Sequence, residues 1–587
     1  LQECILMRVT TTKSKNAESF YINYAYIDKN GKSTSRIYKK LGTLKELSEK
    51  LHTDRDGVMA WAKEQARIET EIYKNTMEDV TIRLSPSVTI KKNQNRSFNC
   101  GYLFLQSICS GLRFDNICRN IKARHSFDFD LESILSDLVY SRILQSSSKI
   151  SSYKYSQSFL EPPKYELHDV YRALQVLAAE SDYIQEEIYR NSQFLHERNT
   201  SVLYYDCTNY FFEIEEEKED RKYGKSKENR PLPIIGMGLF MDADGFPLAF
   251  DLHPGNRNEQ LTLKPLETKV IKDFGCTEFI YCSDSGLGSK NNKFLNSVGN
   301  RKYVITQSLK KMKKEDRDIA LKPTQYRKIG SDKFIDLTTL DETDTEVFNS
   351  VYYKEIPVTV NGIEETVIVT YSPKYKAYQR KIRNRQIDRA SNMIGSDGKI
   401  KKNRNNPNDP ARFIKKTTVT ENGEVAESTY CELDSEMITK EEQYDGFYAV
   451  STNIEGDISK IIAVNKRRWQ IEECFRILKT EFKSRPVYVS RQDSIKAHFL
   501  TCYIALLVYR VLENKLDYKY TINEITETLR NMNVLDIEGH GYVPTYTRTD
   551  LTDDLHEMVD FHTDKQIIKK AQMRSIIKQS KDIKKLR

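Results

Sequence analysis

Hydrophobic and polar positions change their period several times along this chain. Residues 20–38 alternate and pass through Lys29-Asn30-Gly31, the pattern of a β-hairpin. Val58, Trp61 and Ala66 among many charges predict a helix over 54–78. Residues 100–198 read as mostly helical. The spacing is clearest from Val170, Leu174, Leu177, Ala178, Ile184 and Ile188, which recur mostly at steps of three and four, and Pro162-Pro163 divides the stretch into two helical groups. At Ser201 the texture turns to β. Residues 201–213 are rich in β-branched and aromatic side chains, and 233–252 read as a hairpin turning on Asp242-Ala243-Asp244-Gly245. A helix with Leu263, Leu266, Val270 and Phe274 on one side follows, then short buried-type strands at 279–282 and 303–306. The order strand, hairpin, helix, strand, helix, strand predicts a mixed α/β sheet layered with helices.

Residues 310–445 interrupt that order. A hairpin around Asn361-Gly362 spans 351–372, and 374–416 read as loop-like and basic, carrying Arg380, Lys381, Arg383, Arg385, Lys399, Lys401, Lys402 and Arg404. The sheet resumes at 447–451. One long helix is expected over 457–483 and an apolar helix over 494–513. The expected organisation is an arm of hairpin and helix (1–95), a helical region (96–198), the first part of a core (199–309), a β-rich insertion with a basic arm (310–445), the second part of the core (446–515) and a C-terminal region with a basic tail (516–587).

Composition narrows the class. With 39% hydrophobic and 30% charged residues the chain reads as globular rather than disordered. Its longest apolar run, near 499–508, falls short of the about 20 residues a membrane span needs, so no membrane partner is expected. No signal segment is read at the start, and the true start is left open by a first residue that is Leu with Met at 7. The ten Cys are scattered without a Cys-x-x-Cys pair and the nine His are dispersed, which argues against a zinc module or a disulfide framework and for a reducing cytoplasm. The net charge of +8 is carried by the last 23 residues, which hold nine Lys/Arg against Asp582 alone. Bulk charge therefore does not identify a nucleic-acid partner; local patches have to.

Three acids stand out by context. Asp206 sits inside an aromatic and apolar strand, where an unpaired charge is costly. Asp284 directly follows a buried-type strand, where ligand sites of α/β sheets lie. Glu472 lies on the expected long helix, with Arg468 four residues before it and Lys479 seven after, all within roughly 40° on one helical face. Each has an ordinary alternative: an Asp ending a strand also forms turns or caps helices, and Arg468 and Glu472 also suit plain i,i+4 pairing. Trp469 and Phe475 are expected in the core.

The stretch Asn465-Lys-Arg-Arg468-Trp469-Gln-Ile-Glu472-Glu-Cys-Phe475-Arg-Ile-Leu-Lys479 resembles the signature of DDE transposases of bacterial insertion sequences: Tyr, two residues, Arg, three residues, Glu, six residues, Lys. Tyr205-Asp206-Cys207-Thr208 is similar to the family's first-Asp strand and Cys282-Ser-Asp284-Ser-Gly286 to its second, and the likeness covers about 200–510, including the β-rich insertion of one branch. Asn465 stands where the signature has Tyr. The resemblance implies a ribonuclease-H-like mixed sheet flanked by helices and interrupted by the insertion. It implies Asp206, Asp284 and Glu472 as ligands of two Mg²⁺ (or Mn²⁺) ions, and Arg468, Lys479 and Asn465 as binders of DNA phosphate. Gathered without metal, three such acids repel one another, so the site is expected to be loose until ion and DNA arrive. The implied activity is cleavage and joining of element ends on double-stranded DNA, with a homodimer on the DNA and a cytoplasmic, nucleoid-associated location. Residues 96–198 are the candidate reader of the DNA ends, and the basic patches at 310–314, 380–385, 399–404 and the tail are candidate phosphate contacts. The alternatives are a metal-dependent nuclease without strand transfer, an inactive DNA-binding derivative, and a metal-independent carboxylate hydrolase that would leave Arg468 and Lys479 without a role.

Overall fold

The computed structural model describes residues 7–13, 17–27, 33–76, 80–360, 362–394, 408–419 and 428–586. It divides into two compact units, one of residues 1–94 with 537–541 and one of 95–536 with 542–587. The first unit holds a three-stranded antiparallel sheet, Arg8–Lys13, Glu18–Ile27 and Ser33–Thr43, and two helices, Leu44–Leu51 and Arg55–Thr76. The expected hairpin and helix are there, with one further strand; the Lys29-Asn30-Gly31 turn lies outside the described residues. Phe20, Leu47, Val58 and Ala62 close a small core.

The second unit is organised by one ten-stranded sheet. Its strands are β1 (Val202–Phe211), β2 (Ile234–Met241), β3 (Pro247–Pro254), β4 (Ile280–Ser283), β5 (Lys302–Gln307), β6 (Tyr326–Lys328), β7 (Phe334–Ile335), β8 (Tyr352–Val360), β9 (Ile363–Tyr371) and β10 (Phe447–Thr452). Their spatial order is β7-β6-β8-β9-β10-β5-β4-β1-β2-β3. Only β1/β4 and β4/β5 are parallel. β1 to β3 form an antiparallel meander, so half of the sheet reads 3-2-1-4-5. The β2–β3 turn closes as expected on Asp242, whose carboxylate accepts from the backbone N–H of Asp244 and Phe246, while Gly245 takes the φ of +91° that a side chain would resist.

The β-rich insertion continues this sheet edge to edge. β9 pairs antiparallel with β10, and β10 pairs antiparallel with β5, so the strands on either side of the interruption are neighbours and the insertion extends the sheet from β10. The stretch expected to be loop over 374–416 begins instead with a 22-residue helix, Pro373–Ile394. After Pro373 it contains no Pro or Gly, and it docks through Arg383, which pairs with Asp445 at 2.6 Å and Glu442 at 3.1 Å. Arg383 is therefore an internal counter-charge rather than part of an exposed patch. The basic run 399–404 lies outside the described residues, as does Asn361. The basic tail folds into a helix, Lys570–Gln579, that buries Met573 and Ile576.

Helices fill the layer beside the sheet. The expected apolar helix runs over Gln492–Lys515 and is buried on every side from Ser494 to Leu512, apart from Lys496. By length and composition it could cross a membrane, a longer apolar segment than the sequence reading recognised, but nearly all of its apolar window is enclosed by protein. It packs against Leu131–Leu144 and Leu167–Ala179 in one core shared with Tyr204, Tyr210, Ile471 and Phe475. At about 1.5–3 kcal/mol for each fully buried large apolar side chain, this helix is the main apolar spine of the unit. Tyr102–Gly111 is enclosed along almost its whole length, so inside this region packing determines the helices.

One polar group in that layer is ill placed. Lys149 is buried, its Nζ has no hydrogen-bond partner among the described residues, and burial pulls its pKa down to about 7, with Arg142 adding to the fall. Between pH 7 and 10.5 the unfolded chain holds this proton more tightly than the folded one, so this residue's contribution to stability rises with pH through that window. Lys149→Met is expected to raise stability at pH 7 by about 1–3 kcal/mol and to flatten the rise in melting temperature between pH 7 and 10; a variant that melts lower at pH 7 would contradict this.

Candidate active site

Strand β1 is buried on both faces. Leu203, Tyr205 and Cys207 turn to one core, while Tyr204 and Tyr210 turn to the other. By the two-residue period of a strand, Asp206 shares the side of Tyr204. β1 and β4 run parallel, with Tyr204 opposite Cys282. Two residues further along each chain come Asp206 and Asp284, on the same face of neighbouring strand ends. Asp206 Oδ1 accepts the Cys207 N–H at 2.8 Å, and Asp284 Oδ1 accepts the Leu287 N–H at 3.1 Å. Burial pushes the Asp206 carboxyl up to about 6. The Lys227 charge opposes that rise, the neighbouring Asp284 charge adds to it, and Arg468 opposes it more weakly. Gly286 leaves room for this turn: a Cβ there would stand 3.3 Å from Asp284 Oδ1.

The single helix expected over 457–483 is three segments. α1 (Ile458–Lys466) ends in a tight turn at Arg467 and Arg468, α2 (Trp469–Arg476) follows, and a π-helical turn covers Ile477–Glu481. At the first break the hydrogen bonds contract to i→i−3, from Arg468 N to Asn465 O and from Ile471 N to Arg468 O. At the second they widen to i→i−5, from Phe482 N to Ile477 O at 3.0 Å. The straight-helix placement of Arg468, Glu472 and Lys479 therefore holds only for the first pair. Arg468 Nη1 meets Glu472 Oε1 at 2.9 Å. Burial works against the Arg468 charge, but Glu472, Tyr448 and Asp206 together hold its pKa above the ordinary value. Arg468 is thus the charge shared between Asp206 on the sheet and Glu472 on the helix.

Lys479, past the first residues of the π turn, points elsewhere. Its Nζ lies 3.7 Å from Glu228 and 5.4 Å from the Tyr210 ring centre. Burial lowers its pKa to about 8, with Lys227 adding to the fall and Asp206 opposing it. Asn465 sits on α1 with its Oδ1 3.4 Å from Thr306 Oγ1, and Thr306 in turn lies 2.8 Å from the Tyr448 hydroxyl. A phenol does stand beside Arg468, then, but β10 supplies it rather than the helix. Trp469 is 57% exposed, against the expectation of core packing, whereas Phe475 is buried as expected. The turn at Arg467–Arg468 explains the difference, because it rotates the first residue of α2 away from the core.

The structure brings Asp206 and Asp284 together and couples Glu472 to them through Arg468. The oxygens of the three acids are not all within 4.8 Å of one another. The donor set is carboxylate oxygen only, and the Asp206–Asp284 repulsion is relieved by a cation, which fits a hard divalent ion. Glu472, tied to Arg468 and 56% exposed at its side chain, stands outside that pair in this conformation. Among the described residues, His556, His562 and Asp564 bring one ligand atom each within 4.8 Å of one another. The two imidazoles are nearly parallel, at 19°, and His556 Nε2 already accepts the Thr563 N–H at 3.1 Å. Sequence reasoning missed Lys227, Glu228, Arg230 and Arg485 around Lys479, since nothing in the polar segment 225–230 marks it as part of a site.

A family model described as Transposase DDE domain matches residues 210–508, a span that holds Asp284, Arg468, Glu472 and Lys479 and starts four residues after Asp206. No curated protein matches the chain. Among solved structures, a piggyBac transposase in a synaptic complex with hairpin DNA is 8% identical over 74% of this chain and 78% of that one, with a TM-score of 0.32.

α2 is held to the long apolar helix by Arg510, which is 8% exposed at its side chain and pairs with Glu513 at 2.6 Å and Glu473 at 3.3 Å. Arg510→Met leaves Glu513 without its counter-charge and Glu473 with Arg476 alone, at 3.6 Å. The expected loss is about 3–5 kcal/mol, visible as a lower melting temperature; a wild-type melt would show that this anchor is dispensable.

Proposed function

The chain belongs to the Transposase DDE domain family, and from that membership and the site we propose that it cleaves the ends of a bacterial insertion sequence and joins them to target DNA. One observation carries the reading: two acids on adjacent parallel strand ends, under a helix whose Arg468 charge acts on Asp206 and pairs with Glu472. The 3-2-1-4-5 order of β3, β2, β1, β4 and β5, parallel only at β1/β4 and β4/β5, supports a ribonuclease-H-like core.

Proteins of this family generally use divalent metal ions. Here Asp206 and Asp284 would hold them, with Glu472 joining once it exchanges Arg468 for metal, and two Mg²⁺ ions suit an all-carboxylate site. When bound, such ions activate a water or a 3′-hydroxyl and offset charge on the leaving oxygen. The chain's own side chains do the rest. Burial and the Asp284 charge favour the protonated Asp206 carboxyl, so a bound cation would displace that proton to solvent. Arg468, released by Glu472, offers a planar fork to a phosphate oxygen, and Lys479 offers a point charge. Asn465, linked through Thr306 to Tyr448, completes the phosphate-facing edge. Double-stranded DNA is the partner, and two protomers on it would serve two element ends. Recognition of those ends by 96–198 falls to the outward faces of helices whose inner faces are packed.

The test is Mg²⁺-dependent nicking and joining of DNA that carries the sequence flanking the gene. Asp206→Ala, Asp284→Ala and Glu472→Ala are each expected to abolish nicking and to leave binding of the DNA ends. Full cleavage by any one of them would count against the assignment. Cleavage without joining by the intact chain would reassign it as a nuclease.

A further inference from the structure

Beside the acids the chain gathers positive charge around a single carboxylate. Glu228 Oε1 contacts Arg485 Nη1 and lies 3.7 Å from Lys479 Nζ, while Glu228 Oε2 lies 4.0 Å from Arg230 Nε. The three cations come from separate places in the sequence: the loop after β1, the π turn after α2, and the segment leading to the long apolar helix. Aromatic rings from the end of β1 floor the nest. Arg230 lies 4.2 Å and Arg485 5.9 Å from the Phe211 ring centre, and Lys479 5.4 Å from that of Tyr210. Lys227, from the same loop, turns to the Cys207 carbonyl and Glu259.

Glu228 is delivered to the nest by a tight turn. Ser226 Oγ accepts the backbone N–H of both Glu228 and Arg230 at 3.3 Å, and Asn229 between them takes a φ of +55°. One carboxylate among three cations leaves two positive charges without an internal partner in the nest. The Glu228 side chain remains 24% exposed, so solvent reaches the group that an incoming anion would replace. A phosphodiester carries the same single charge as a carboxylate and presents two equivalent oxygens to Arg and Lys donors in the same way.

We propose that the Arg230–Lys479–Arg485 nest is a binding subsite for a backbone phosphate of DNA, and that Glu228 is its exchangeable internal counter-ion, displaced when the phosphate enters. This rests on the DNA-processing reading above and deepens it. Arg230 and Arg485 become phosphate contacts next to Lys479, and free protein carries its own anion where DNA later binds. The same exchange of partners would then occur twice in the site, with Glu472 leaving Arg468 and Glu228 leaving Lys479 and Arg485.

The experiment measures binding of the full chain to a fluorescent duplex of arbitrary sequence across a salt series, without metal. Glu228→Gln is expected to bind several-fold more tightly than wild type. It should also bind more tightly than Glu346→Gln, a control with the same change in net charge at a site 82% exposed. Arg485→Ala and Arg230→Ala are each expected to bind more weakly, with the slope of log K against log salt reduced by about 0.9. Melting curves of all variants show that they are folded. If Glu228→Gln binds more weakly, or no better than the Glu346→Gln control, while wild type binds and cuts DNA, the counter-ion proposal is overturned and the functional reading survives. If folded wild type binds no duplex at all, the functional reading falls and this proposal falls with it.

Discussion

Two like charges on neighbouring parallel strands are the constraint around which the site is arranged. The parallel register of β1 and β4 places Asp206 and Asp284 on one face, and the apolar cores on both sides of β1 limit the water around Asp206, the one partly exposed residue of that strand. That arrangement is unfavourable for the free protein, as the elevated Asp206 pKa shows. Lys227 and Arg468 partly compensate it. Carboxyl groups perturbed in this way are concentrated at functional sites.

The helix over the acids is aimed by its irregularities. A straight helix would put Arg468, Glu472 and Lys479 in one stripe. The contraction at Arg467–Arg468 and the widening at Ile477–Glu481 instead send Lys479 toward Glu228 and Arg485 while leaving Arg468 beside Asp206. Those turns are kept in place from behind, by Ile471, Cys474 and Phe475 in the shared core and by Arg510 bridging Glu473 and Glu513. The long apolar helix serves as the rigid backing against which a strained segment can be held.

The region between β5 and β10 shows how an inserted segment can enlarge a sheet without dividing it. β6 to β9 use the free edge of β10, and the 22-residue helix after β9 brings Arg383 back to the turn just before β10. Charge that reads as a solvated basic run is in part consumed internally.

The sequence by itself determined the elements whose side chains have one environment. The largely buried strands at 201–213 and 279–282, the Asp242–Gly245 turn and the apolar helix after 490 were legible, because apolar period and turn chemistry are local properties. The acids Asp206, Asp284 and Glu472 and the cations Arg468 and Lys479 were legible as candidates from context and spacing. Only the tertiary structure decided which of them meet. Helix continuity over 457–483, the exposure of Trp469 and the helix at 373–394 depend on packing and counter-charges supplied from far along the chain, which no local window contains. The cations around Glu228 come from three distant segments, and Coulomb forces act through space without regard to sequence separation; that is why the fold, and not the pattern, reveals them.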